Sequence, residues 1–402
     1  MDWTSPVSYE ASPLAYPSAR RVDAALSAAG LPHRVRELSQ TTRTASDAAA
    51  AVGCEVRQIV KSLLFRTRDS GRPVLVLASG QHRVDQDWME RFTGEPLVRA
   101  DPEYVRSVTG FAIGGVPPVG LASPLTPFID YDLLEPREIW AAAGHPHAVC
   151  RLEPAELLAI TGGRPVSVVS LERREEVPWL SFDCFGTLVD WRAGFCATVQ
   201  RRTGPLSGGQ LDRLFEEYLR QERRIEGMEF RSYHSVMTEA LVAAGLAVGV
   251  PLSGHDAEAI VGSIPSWPLF PDTKLTLARL RREGRKVAVL SNIDRDLLDQ
   301  TLDHHGIQTD LTVTSEEVRS YKPALAHWIR MLKVTATEAS RIWHVSGGYE
   351  YDIPPASRLG FHTVFVGRYS TPPPGSSAEL VVPDLEGLLD RIASVPSALP
   401  GR

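Results

Sequence analysis

One lysine stands alone in the first 273 residues of this chain. Among 402 residues there are 43 Lys and Arg, of which only five are Lys: Lys61, Lys274, Lys286, Lys322 and Lys333. Lys61 lies inside the apolar stretch IVKSLLF. A compact ammonium on a slim stem fits where a wide, planar guanidinium does not. Its presence marks either a place that admits only the smaller cation or a side chain snorkelling from a strand edge. Further on, GFAIGGVPPVGL sets Gly114 and Gly115 just before Pro117 and Pro118. A loop this stiff can hold backbone N–H groups in a concave array that binds an oxyanion or orients a water. The simpler reading is a tight turn. Lys61 nearby could hold a phosphate or a carbonyl oxygen. No Ser–His–Asp or Cys–His set has a convincing spacing, so ester hydrolysis in this half would rest on positioning and electrostatics.

In the second half, WLSFD ends an apolar run on Asp183, and a glycine-containing turn follows. A carboxylate at the C-terminal end of a parallel strand is where open α/β sheets place their chemistry. LSN puts Ser291 and Asn292 at the end of another strand, YKP puts Lys322 in a loop, and HVSGGYEYDIPPA puts Asp352 after a further strand. Each alone reads as a cap or turn residue. Four in this order are expected to meet at one sheet edge.

The elements that must position these groups fall into two sets. Residues 1–18, rich in Pro, Ser and Tyr, are expected as a loose tail. Residues 19–165 read as a compact α+β domain. It has a helix in ARRVDAALSAA, and Thr44 with Asp47 as a capping box opening ASDAAAAV. Short strands follow in IVKSLLFR, PVLVLAS and PFIDYDLL, then a last helix, PAELLAITG. Residues 166–177 read as a linker. From 178 to 402, the runs KVAVLSN, LTVTS, RIWHVS, HTVFVG and ELVVP alternate with helix-length segments, the pattern of a parallel, doubly wound α/β sheet.

Composition narrows the functional classes. Hydrophobic residues at 43% and charged residues at 23% argue against whole-chain disorder. No run approaches the ~20 apolar residues of a membrane span. MDWTSPVSYEASPLAYPS lacks the basic start and apolar core of a secretory signal. Cys54, Cys150, Cys184 and Cys196 form no CxxC pair, so the expectation is a reduced, cytoplasmic protein. The formal charge of −6 disfavours indiscriminate nucleic-acid binding.

Residues 20–165 resemble the YbaK/EbsC family of prolyl-tRNA-editing or aminoacyl-tRNA deacylase domains. The shared blocks are Thr44–Ala49 (T-A-x-x-A-A), Ile59–Phe65 (I-V-K-S-L-x-F), Val108–Gly120 (V-T-G-F-x-I-G-G-V-P-P-x-G), Ile129–Leu133 (I-D-x-D-L) and Trp140–His147 (W-A-A-A-G-H-P-H). The resemblance implies hydrolysis of the ester joining a mischarged amino acid to the terminal adenosine of tRNA. Lys61 takes the place of the family's essential lysine. Gly114, Gly115 and Pro118 belong to the loop that shapes the amino-acid pocket, and Asp130 and His147 fall at its walls. His147 stands where many members carry Asn. Residues 1–165 hold 17 Lys and Arg against 19 Asp and Glu, too few cations to hold tRNA by bulk attraction. Delivery by an aminoacyl-tRNA synthetase is what the family implies.

From Pro178 onward the chain resembles the haloacid dehalogenase-like (HAD) superfamily, especially its type II 2-haloacid dehalogenase branch. The resemblance implies a Rossmann-like domain with Asp183 as nucleophile, Ser291 and Asn292 holding the substrate's acid oxygens, Lys322 screening the carboxylate, and Asp352 as the last acid. A helical cap is expected over about 192–267. Phosphatases of the superfamily carry a second Asp where this chain has Phe185, and Gly347 replaces one of their paired acids, so Mg²⁺ binding is expected to be weakened. Phe185 fits the metal-free dehalogenase arrangement, whereas Gly347 and Tyr349 depart from it.

The resulting expectation is trans-editing of misacylated tRNA by the first domain, with the second acting on a small organic acid or modulating the first. The alternative is a metal-independent hydrolase of the dehalogenase type, with the first domain as a ligand-binding module. A third reading makes both halves binding modules.

Overall fold

Two sheets organise the chain, one in each of the units into which it divides, Met1–Glu172 and Arg173–Arg402. The computed structural model describes residues 14–42, 44–171, 179–388 and 390–391.

The first unit begins α1 (Pro17–Ala28), β1 (Val35–Glu37), α2 (Ala45–Val52), β2 (Ile59–Thr67), β3 (Pro73–Ser79), α3 (Gln86–Thr93) and β4 (Leu97–Arg99). It continues α4 (Pro102–Thr109), β5 (Phe128–Asp130), β6 (Ile139–Ala142), β7 (Ala148–Leu152), α5 (Pro154–Thr161) and β8 (Arg164–Val166). The strands form one mixed sheet in the order β1-β7-β6-β2-β3-β5-β8, with β4 also paired to β2. Helix starts follow local chemistry. The Thr44 hydroxyl accepts from Asp47 N, and the Asp47 carboxylate accepts from Thr44 N, so two otherwise orphaned donors are satisfied reciprocally. Asp85 and Asp101 cap α3 and α4 through the N–H groups of Trp88 and Tyr104.

This unit reaches further at both ends than its sequence suggests. Of the expected tail, residues 1–13 lie outside the described residues, while Pro17 and Ser18 open α1, where proline's missing N–H removes no bond. Val166, expected in the linker, is a β8 residue paired with Asp130. Val166 and Val168 are buried beside Val76 and Met89, and Trp88 Nε1 donates to Ser167 O at 3.0 Å. The alternating run PVSVV is thus core, its period masked by polar neighbours. Residues 172–178, the rest of that linker and the first residue after it, lie outside the described set.

The second unit runs β9 (Trp179–Phe182), α6 (Trp191–Thr203), α7 (Gly208–Glu226), α8 (Tyr233–Val248), α9 (Gly254–Val261), α10 (Thr273–Arg282), β10 (Lys286–Ser291) and α11 (Arg295–His305). Then come β11 (Leu311–Thr314), α12 (Ser315–Val318), α13 (Ala326–Thr335), β12 (Ile342–Ser346), α14 (Tyr349–Arg358), β13 (His362–Val366) and β14 (Leu380–Val382). All six strands are parallel, in the order β11-β10-β9-β12-β13-β14. The chain builds outward from β9 first to one side and then to the other. Right-handed crossovers therefore put helices on both faces, and the reversal at β9 is where such sheets bind ligands. Of the five helices between β9 and β10, the first four, α6–α9, contribute to a core in which Trp191, Phe195, Phe215 and Tyr218 stack edge-on or tilted. Gly194 lets α6 meet Trp267, because a Cβ there would fall 2.3 Å from the indole. Among the described residues no helix is long and apolar enough to cross a membrane.

Candidate active sites

In the first unit, sheet register brings Lys61 and Asp130 into one row. Lys61 lies opposite Ala78, and the β3–β5 pairing that joins Leu77 to Ile129 sets Asp130 beside Ala78. Directly opposed residues share a face. The Lys61 ammonium donates to His82 O. Burial pushes the Lys61 pKa down, with Asp130 pulling the other way. Asp130 is 1% exposed. Its Oδ2 accepts from Ser79 N at 3.0 Å and from His82 Nδ1 at 2.7 Å, and Oδ1 lies 3.4 Å from Asp132 N. Expected as a pocket wall, it is instead a buried strut beneath Lys61. Its charge is held by donors of the chain itself, which a buried carboxylate requires. His82 also places Nε2 3.2 Å from Asp132 Oδ2. Asp132 is the second acid of the I-D-x-D-L block, but His82 belongs to no motif; a histidine three residues beyond the end of β3 carries no local signal.

The glycine loop is held by the turn after β6. Gly144, two residues past the end of β6, donates its N–H to Gly115 O at 3.0 Å. A Cβ on Gly115 would lie 3.1 Å from Gly144 O, so any side chain there would press the two backbones apart by a few tenths of an ångström. β6 runs parallel to β2 with Ala141 beside Val60, so Gly144 follows the strand that pairs with the start of β2. One expectation is corrected: the Gly115 N–H is not offered to a ligand, being bonded to Ala112 O at 3.0 Å. Gly114, exposed at φ +86°, turns the loop, and Val116 to Pro118 are buried beneath it. Arg21 braces the loop, donating to Thr109 O and Gly120 O with its guanidinium 4.0 Å above the Phe111 ring. His147 Nδ1 lies 3.1 Å from Leu38 O. Tyr16, which the sequence assigns to the tail, stacks on His145 at 3.6 Å, and His147 lies 5.7 Å beyond in the same tier.

In the second unit the four expected groups meet. Asp183 follows β9 at the switch point. The Lys322 ammonium donates to Asp183 Oδ1 at 2.8 Å, Asp352 Oδ1 at 2.7 Å and Leu290 O at 2.9 Å. Thr187 Oγ1 donates to Asp183 Oδ2 at 2.8 Å, and Ser346 Oγ to Asp352 Oδ2 at 3.1 Å. His344 Nε2 lies 2.9 Å from Asp352 Oδ1. Burial lifts the Asp183 pKa, with Lys322 opposing and Asp352 adding to the rise. Burial also works against the Asp352 charge, but Lys322 and His344 override it and hold that carboxyl at about 2. The outcome is an ionised, well-anchored Asp352 beneath a more basic Asp183.

Ser291 is 1% exposed and its carbonyl faces His327 Nε2 at 3.1 Å. Asn292 departs from expectation. Its Oδ1 accepts from Lys322 N at 2.7 Å and its Nδ2 donates to Lys322 O at 3.2 Å, so the amide positions the lysine's backbone. Together these residues line a cavity of about 210 Å³ with Phe185, Trp191, Glu222, Glu226 and Tyr351. That is smaller than a drug-sized site of roughly 300–1,000 Å³. The donor set does not suit Mg²⁺. Phe185 and Gly347 offer no side-chain oxygen, and all four oxygens of Asp183 and Asp352 already accept hydrogen bonds from the protein. Mg²⁺ demands near-octahedral oxygen coordination.

Comparison with known proteins divides at the same place. The aminoacyl-tRNA editing domain family matches residues 39–160, and the haloacid dehalogenase-like hydrolase family matches residues 178–360. YwhH, an uncharacterized protein of Bacillus subtilis, is 30% identical over 123 residues, 31% of this chain and 78% of YwhH. The solved structure of a putative trans-editing enzyme for prolyl tRNA synthetase is 52% identical, covering 38% of this chain and 96% of that one with a TM-score of 0.36. Haloacid dehalogenase-like hydrolase domain-containing protein 3 of Danio rerio is 26% identical over 243 residues, 56% of this chain and 98% of the fish protein. The chain belongs to the aminoacyl-tRNA editing family through its first unit and carries a haloacid dehalogenase-like hydrolase domain in its second.

Proposed function

We propose that the first unit hydrolyses the ester of a misacylated tRNA and that the second is a metal-independent hydrolase of a small organic molecule. The observation that carries the first half is Lys61. Its ammonium, partly desolvated, lies within electrostatic reach of the buried Asp130 carboxylate, and the Gly114–Pro118 loop is held by the turn after β6. A partly buried cation attracts a phosphate or carbonyl oxygen more strongly than an exposed one. Water is the attacking group, and the loop and Lys61 orient the acyl ester. With no excess of cations in this unit, free tRNA is bound weakly and a synthetase supplies it; the 52% sequence identity to a putative trans-editing enzyme for prolyl tRNA synthetase makes the proline enzyme the first partner to test. The deciding measurement is release of labelled amino acid from tRNAPro charged with proline and with non-cognate amino acids, using the full chain. Faster release from at least one non-cognate ester than from buffer is expected; no release from any would overturn the reading.

In the second unit, an Asp183 carboxylate oxygen forms a bond to a substrate carbon as the leaving group departs with the bonding electron pair. Water then adds to the Asp183 carbonyl carbon, releasing the alcohol and restoring the carboxylate. Lys322 holds the nucleophile, and α6–α9 serve as the cap that excludes bulk water. Attack needs the ionised form. Because burial raises the Asp183 pKa, kcat/KM is expected to fall as pH drops through a midpoint above 3.8, the ordinary value. A profile flat down to pH ~4 would count against Asp183 as nucleophile.

A further inference from the structure

We infer that the cavity of the second unit takes a small substrate bearing a protonated amine, seated between Glu222 and Glu226 and facing Asp183. The inference rests on the hydrolase reading of that cavity and names its substrate class. The first ground is charge. Four carboxylates, Asp183, Glu222, Glu226 and Asp352, line the cavity, and Lys322 is the single cationic side chain among the lining residues. All three protons of its ammonium are already directed at Asp183, Asp352 and Leu290 O. An anionic substrate would therefore find no free cation to pair with, while an ammonium would find carboxyl oxygens to accept its protons.

The second ground is the placement of the two glutamates. They stand one turn apart on α7, on the side turned to the cavity, where residues four apart are neighbours. Glu222 Oε1 accepts the Tyr218 and Tyr233 hydroxyls at 2.5 Å each. Among the described residues, Glu226 has one long contact, 3.4 Å from Asn292 Nδ2. Burial pushes both glutamates above the usual carboxylate range, and the charge of Glu222 lifts Glu226 further. Two buried carboxyls one helical turn apart are relieved when a cation sits between them. The third ground is the apolar lining: Phe185, Trp191, Phe215 and Tyr351. Aromatic faces attract ammonium ions and give an anion nothing. The volume of about 210 Å³ suits a small substrate.

The test uses the full chain and three probes of equal size: propylammonium, propionate and 1-propanol, with binding followed by ligand-observed NMR in the wild type and in D183N, E222Q and E226Q. Propylammonium is expected to bind at least tenfold more tightly than propionate. E226Q and E222Q should each weaken it at least tenfold with little change for propanol. E226Q is the safer variant, since Glu222 also anchors two buried tyrosines. Propionate binding as well as the amine, insensitivity to both Glu→Gln changes, or displacement of the amine by millimolar Mg²⁺ would overturn the inference. The hydrolase reading fails separately. If amine binding persists in D183N while the wild type turns over none of a panel of short amino-bearing halides and esters, the cavity binds amines without hydrolysing them.

Discussion

Asp183→Asn is expected to remove hydrolysis by the second unit, by at least ~10⁴-fold, while the first unit's deacylation continues unchanged. A nucleophile that forms the covalent intermediate has no substitute, and loss of one typically removes most of an enzyme's rate enhancement. The protein should remain folded. Asp183, Lys322 and Asp352 form a buried set of two carboxylates and one ammonium, so an isosteric amide removes the surplus negative charge and leaves Lys322 paired with Asp352. Breaking a buried pair outright is destabilising by several kcal/mol, but here a counter-ion remains. The melting temperature of D183N should therefore match or exceed that of the wild type. Parallel assays of both activities decide the matter: retained organic hydrolysis would remove Asp183 from the mechanism, and lost deacylation would show that one site serves both reactions.

Lys61→Ala carries the second large effect, a fall in deacylation of about 10²–10³-fold, the range for losing one preorganised electrostatic contact. Stability should change little. Lys61 is partly exposed, and the bond it gives up is to a backbone carbonyl, His82 O. Lys61→Arg is the sharper variant. In a chain that otherwise uses arginine almost throughout, a K61R protein that keeps its charge and loses its activity would show that size decides the residue type here. Full activity in either variant, measured as single-turnover release of amino acid from tRNA, would displace Lys61 from the site.

What could be read in advance was local in the chain or ordered along it. The capping box of Thr44 and Asp47 involves three residues of separation, and it formed as its spacing requires. Asp183, Ser291, Lys322 and Asp352 each follow or neighbour a parallel strand. A parallel sheet aligns all its C-terminal ends, so their convergence follows from topology alone. The two hydrolase families were legible for the same reason, since their motifs are short continuous strings.

Groups that act across the fold were not legible. His82 meets Asp130 over 48 residues, and its type and spacing are those of any loop histidine. Asn292 pins Lys322 because a main-chain turn 30 residues away offers it both an N–H and a carbonyl. Glu222 and Glu226 look in sequence like the solvated face of a charged helix, and only the packing of α7 over the end of the parallel sheet turns them into a cavity wall. Sequence alone determined which residue types were present and the strand ends that carry them. Tertiary structure decided which of those groups are already bonded to the protein and which remain for a ligand, because burial and pairing depend on neighbours that chain order does not specify.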